Sequence, residues 1–161
     1  MKNLLTPQIE AILQKAVAAE LYASHLYRHV ANQAQRLGLF GAAKFFRAAA
    51  EEELAHYQRL ADYFNDRGCV AKVAAVPAIN EPIANLHDAI DLAYDTEVQL
   101  GADYSGWYAT CGCVITQQFL LFFLEEQRKA VGEFGDWLSR IELAGDDRAA
   151  ILAIDRELGD A

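Results

Sequence analysis

Four stretches of this chain repeat apolar residues at alternating steps of three and four, and each carries a polar residue inside the apolar stripe. The second reads Ala42, Phe46, Ala49, Glu53, His56, Leu60 and Tyr63. The first reads Leu13, Ala16, Glu20, Ser24, Tyr27 and Ala31, and the third Ile90, Ala93, Glu97, Leu100 and Tyr104. The fourth reads Leu120, Phe123, Gln127, Ala130, Phe134 and Trp137. Steps of three and four put side chains on one helical face, so each stripe is a seam turned toward a shared core.

Helix boundaries follow from capping chemistry. The pattern predicts a first helix over Thr6 to Arg36, with Thr6 as N-cap and Pro7 in the first position. After a break at Leu37-Gly38, a second runs from Leu39 to Arg67 and is closed by Gly68. Residues 69–84 hold Pro77 and Pro82 and show no sustained period, which reads as a long connection. A third helix starts near Leu86 behind Asn85 and ends near Cys111. A Cys-Gly-Cys turn leads to a fourth over Val114 to Leu143, and Gly145-Asp146 opens a short fifth ending near Leu158.

Each long helix would span about 40 Å at 1.5 Å per residue. The connection, fully extended, reaches about 50 Å, enough to travel the length of the bundle. The expected fold is all-α: one domain over residues 1–161, a four-helix bundle with one long crossover and a short fifth helix.

Composition narrows the class of partner. Fourteen basic against twenty-three acidic residues give a net charge of −9, which argues against nucleic acid and suits cations. The opening MKNLLTPQIEAILQKA lacks the unbroken apolar stretch of a signal peptide, and FLLFFL at 119–124 is too short to span a bilayer. Three cysteines, an odd number without a CxxC, signal no disulfide framework or zinc ribbon; a reducing cytoplasm fits best.

The polar residues within the seams carry the functional signal. Burying unpaired carboxylates costs several kcal/mol apiece, so something must neutralise them. Their heights agree as well. Glu20 and Glu53 lie 17 before and 16 after Leu37, while Glu97 and Gln127 each lie 15 from Gly112. Positions equidistant from a hairpin turn sit level, so all four helices bring a polar group to one plane. Carboxylates, an imidazole and an amide suit iron or manganese better than a thiolate metal. Glu20, Glu53 and His56 could hold one ion; a second could share Glu53 and add Glu97, with Gln127 nearby.

At these residues the chain resembles the non-haem ferritins of the bacterial branch, over nearly its whole length. The resemblance is carried by ELYASHLY (20–27), GAAKFFRAAAEEELAHYQRLADYFNDRG (41–68), Glu97, FLLFFLEEQ (119–127) and LAGDDRAAILAIDREL (143–158). It implies a ferritin-like bundle and a homo-oligomeric shell of twenty-four subunits. That shell would take in Fe²⁺, oxidise it with O₂ or H₂O₂ at a di-iron centre, and store ferric mineral. It assigns Glu20, Glu53 and His56 to the first iron and Glu53, Glu97 and Gln127 to the second. Tyr27 would be a redox-active or hydrogen-bonding neighbour.

Glu52 and Glu126 match two ligands of a third iron site common in that family, whose remaining glutamate falls at Ala130. Glu133, two turns beyond Glu126, is too far from it to supply the missing ligand. Bacterioferritins ligate haem through methionines, and the single methionine here is Met1, so no haem is expected. A rubrerythrin-like peroxidase that keeps its metal as a cofactor is the alternative. It would want a second Glu-x-x-His, and helix four offers Glu125, Glu126, Gln127, Arg128 and Lys129 instead.

Overall fold

In a computed structural model, residues 2–161 are described; Met1 lies outside them. The elements are α1 (Pro7–Leu37), α2 (Phe40–Asp66), α3 (Leu86–Thr110), α4 (Val114–Ala144) and α5 (Arg148–Leu158), with no strand among the described residues. Every predicted helix is present, with each end within three residues of its expected place.

Local chemistry sets the ends. Thr6 Oγ1 accepts from the Ile9 amide at 3.3 Å, and Asn85 Oδ1 from the Asp88 amide at 2.9 Å, each relieving an orphan donor of a first turn. Gly38 ends α1 with φ at 83°, a left-handed conformation that costs glycine little.

The crossover keeps no regular structure and is held against α1 by two glutamines. Gln14 donates to the Lys72 carbonyl at 2.6 Å and accepts from its amide at 2.9 Å. Gln33 donates to the Glu81 carbonyl at 2.6 Å and accepts from the Ile83 amide at 3.1 Å. The connection therefore runs parallel to α1, and α3 begins beside the far end of α1 and returns antiparallel to it. α1 packs on α2 and α3 on α4, and α1 also lies against α3.

The core is divided. One apolar cluster gathers Leu26, Tyr27, Val30, Phe46, Ile90 and Phe134; the other gathers Leu13, Val17, Leu60, Leu100, Tyr104 and Phe123. The polar residues of the seams lie between them.

α5 docks on α2 and α4. The N-cap of α2 is Leu39, which offers no side-chain acceptor. Asp155 of α5 takes that role, accepting from the amides of Gly41 at 3.1 Å and Ala42 at 2.8 Å. Its charge also meets the positive end of the α2 dipole. The approach is close: a Cβ on Gly41 would fall 1.6 Å from the Asp155 carbonyl oxygen.

Candidate metal centre

Glu20, Glu53, Glu97 and Gln127 come from four different helices, and none is more than 6% exposed. They are buried because they occupy seam positions, one or two turns from wholly buried residues such as Leu13, Phe46, Ala93 and Phe123. His56 stands one turn beyond Glu53, on the same face. Its Nδ1 lies 3.1 Å from Glu53 Oε2 and 3.6 Å from Glu20 Oε2. One ligand atom from each of Glu20, Glu53 and His56 falls within 4.8 Å of the others. The imidazole stands edge-on to Phe122 and Phe123, with ring centroids 5.8 and 5.9 Å away.

The other half is built on Glu97. With the Gln127 amide oriented so that its nitrogen faces the carboxylate, it donates to Glu97 Oε2 at 2.6 Å and to the Glu97 carbonyl at 3.1 Å. Tyr27 donates its hydroxyl to Glu97 Oε1. Across the centre, Tyr104 donates its hydroxyl to Glu20 Oε1. Tyr104 sits in the predicted seam of α3, but its partner on α1 becomes visible only when the helices are assembled.

Electrostatics marks this cluster as cation-seeking. Burial pushes the Glu53 carboxyl well up from its usual range, against the opposing hydrogen bond from His56. Burial and the Glu53 charge push Glu97 up too. Burial alone would lower His56, but the neighbouring carboxylates of Glu20 and Glu53 override it and raise the imidazole to about 10. Burial and the neighbouring carboxylates hold both Tyr27 and Tyr104 well above the phenol range, so both remain donors. Glu20 Oε2, fully buried, has no hydrogen-bond donor. A buried polar oxygen without a partner costs roughly 1–3 kcal/mol, and a cation there would remove that cost.

A cavity of about 220 Å³ opens beside the centre, lined by Tyr27, Glu53 and Glu97 within and by Glu52, Ala130 and Glu133 farther out. Burial and the charges of Glu53 and Glu133 push the Glu52 carboxyl up. Glu126, which the sequence pairs with Glu52, also raises the Glu52 carboxyl and bonds Lys129 Nζ at 2.8 Å. Glu133 lines the cavity, one turn from Ala130 on the same side of α4.

The remaining histidines and cysteines lie apart. His25 Nδ1 is 2.7 Å from the Leu21 carbonyl and His29 Nε2 is 2.9 Å from the Glu81 carbonyl, both backbone contacts. Cys69, Cys111 and Cys113 are free thiols.

An all-α bundle with carboxylates from three helices and an imidazole at mid-height defines a class of metal-binding bundle. Comparison with known proteins narrows it. The family model described as "Ferritin-like domain" matches residues 10–144. A ferritin of Pacifastacus leniusculus is 32% identical over 91% of this chain and 84% of its own. A bacterial non-heme ferritin of Escherichia coli O6:H1 is 28% identical over 96% of both chains. Among solved structures, an Archaeoglobus fulgidus ferritin engineered into a closed form superposes with a TM-score of 0.93, at 25% identity over 96% of both chains. This chain belongs to the ferritin family.

Proposed function

We propose that this chain is a bacterial-type non-haem ferritin subunit, acting as one domain in a cytoplasmic iron store. Copies assemble into a shell of twenty-four that takes in Fe²⁺, oxidises it with O₂ or H₂O₂, and deposits ferric mineral inside. Glu20, Glu53 and His56 bind the first Fe²⁺; Glu53 bridges to a second, which Glu97 binds with Gln127 at its side. Large apolar side chains left exposed on the single chain, among them Phe40, Val70, Val73 and Leu143, suit burial against further copies.

The observation that carries the reading is the buried convergence of Glu20, Glu53 and His56 within 4.8 Å, with Glu20 Oε2 left without a donor. The carboxylates lower the charge of the bound pair and favour the ferric state, so the two substrate ions each lose one electron to the oxidant. The aromatic and aliphatic packing on either side limits access by water. Gln127 is neutral and spends its nitrogen on Glu97, which leaves the second ion weakly anchored. That suits metal that moves on to a mineral better than a retained peroxidase cofactor.

The test is stopped-flow oxidation of Fe²⁺ added to the assembled protein, followed by size-exclusion analysis of where the iron resides. Wild type should show a fast phase at about two Fe²⁺ per subunit and retain ferric iron in the large species. His56→Ala should slow that phase at least about tenfold while assembly persists, because the first ion loses its imidazole. Equal rates in the two proteins would refute the assignment.

A further inference from the structure

We infer that Tyr104 is a positioning residue of the metal centre: its hydroxyl engages Glu20 Oε1 and so aims Glu20 Oε2 at the first cation. The inference rests on the iron-binding reading above and adds a residue to it.

A glutamate carboxylate turns freely about its last torsion, which has broad, roughly two-fold preferences. Fixing one oxygen therefore fixes the direction of the other. Tyr104 donates to Glu20 Oε1, while Oε2 is left without a donor and lies 3.6 Å from His56 Nδ1. The free oxygen thus belongs to the same small space as Glu53 and His56.

The phenol can serve as an anchor because it is itself immobilised. Tyr104 is completely buried, its ring stacked on Phe123 with centroids 4.9 Å apart and planes 8° apart. Trp107 closes the other side, edge-on at 4.9 Å and 78°.

The same device appears twice. On α1, Tyr27 follows Glu20 by seven residues; on α3, Tyr104 follows Glu97 by seven. Seven residues are about two turns, or about 10.5 Å, and keep glutamate and tyrosine on one face. Because α1 and α3 run antiparallel, each tyrosine lies level with the glutamate of the other helix. Tyr27 donates to Glu97 and Tyr104 to Glu20. Each tyrosine thus holds one oxygen of the carboxylate opposite; at Glu20 the other oxygen has no donor, while at Glu97 it accepts from Gln127. Tyr104 therefore fixes one oxygen of Glu20 as Tyr27 fixes one oxygen of Glu97, and only at Glu20 does that leave the second oxygen without a donor.

Anaerobic titration with Co²⁺ tests this, since its visible absorption reports ligand geometry without oxidation chemistry. Tyr104→Phe removes the hydroxyl and keeps the stacked ring. Loss of an outer hydrogen bond that orients a ligand typically weakens metal binding about 10- to 100-fold. One of the two Co²⁺ ions should weaken by that factor and shift its absorption bands, with helical content and assembly unchanged. In a Glu20→Ala background, adding Tyr104→Phe should cause no further loss, because the oriented group is already gone. Wild-type affinity and spectrum in Tyr104→Phe, or a full additive loss on top of Glu20→Ala, would overturn the role of Tyr104. Absence of Co²⁺ binding by wild type would instead overturn the metal-centre reading itself.

Discussion

At His56 burial and neighbouring charge act on one side chain in opposite directions. Two carboxylates within 3.6 Å of its Nδ1 favour the imidazolium and lift it to about 10, overriding a burial effect that works downward. Burial likewise favours the protonated forms of Glu53 and Glu97. At neutral pH the centre therefore holds protons where a cation would bind, and the two compete. All three shifts are upward, so affinity should fall as pH drops and keep rising with pH through neutrality toward about 10. Anaerobic Fe²⁺ titration in weak buffer should release more than one proton per subunit before any oxidant is admitted. Binding that is independent of pH between about 6 and 8 would contradict this electrostatic account.

At the scale of elements, α5 depends on one carboxylate. Asp155 reaches two amides of the α2 N-terminus, and Gly41 is the residue that lets the helices approach. Asp155→Ala should cost about 1–2 kcal/mol, the usual worth of an N-cap, and loosen α5. Thermal melting and limited proteolysis at the α4–α5 junction would register both effects; an unchanged melt and cleavage pattern would show that α5 is held by its apolar face alone.

The helices themselves were legible in sequence because their seams repeat every three and four residues and their ends are marked locally, by Thr6, Asn85 and the break at Leu37-Gly38. Glu20, Glu53 and His56 could be singled out because polar groups on a buried face require an explanation. What was not legible depends on contacts between distant segments. Asp155 and Ala42 are 113 residues apart, and Tyr104 and Glu20 are 84 apart. Leu39, a helix N-cap with no polar side chain, and the glutamate–tyrosine spacing repeated on α1 and α3 are the sequence traces of those two contacts. That Glu133 lines the same cavity as Glu52 and Ala130 likewise follows only from the assembled helices.

For the molecule as a whole, the division of the core into two apolar clusters leaves a polar layer between them, with a cavity leading outward past Ala130. The small side chain at 130 keeps that cavity open to Glu52 and Glu133. Ala130→Glu should place a third carboxylate among them, hold a third cation, and delay its passage to the mineral. The fast-phase stoichiometry should rise from about two toward about three Fe²⁺ per subunit, as expected when a further hard oxygen donor completes a site. A stoichiometry unchanged by this substitution would mean that the cavity is not on the path of the metal.

In the proposed function, Glu53 bridges two iron ions inside each subunit. Soaking crystals of the assembled protein in Fe²⁺ without oxygen and locating iron by anomalous diffraction tests it directly. Two peaks should appear in every subunit, one against Glu20, Glu53 and His56 and the other against Glu53 and Glu97. Iron found only on exposed carboxylates, with none among Glu20, Glu53 and His56, would contradict it.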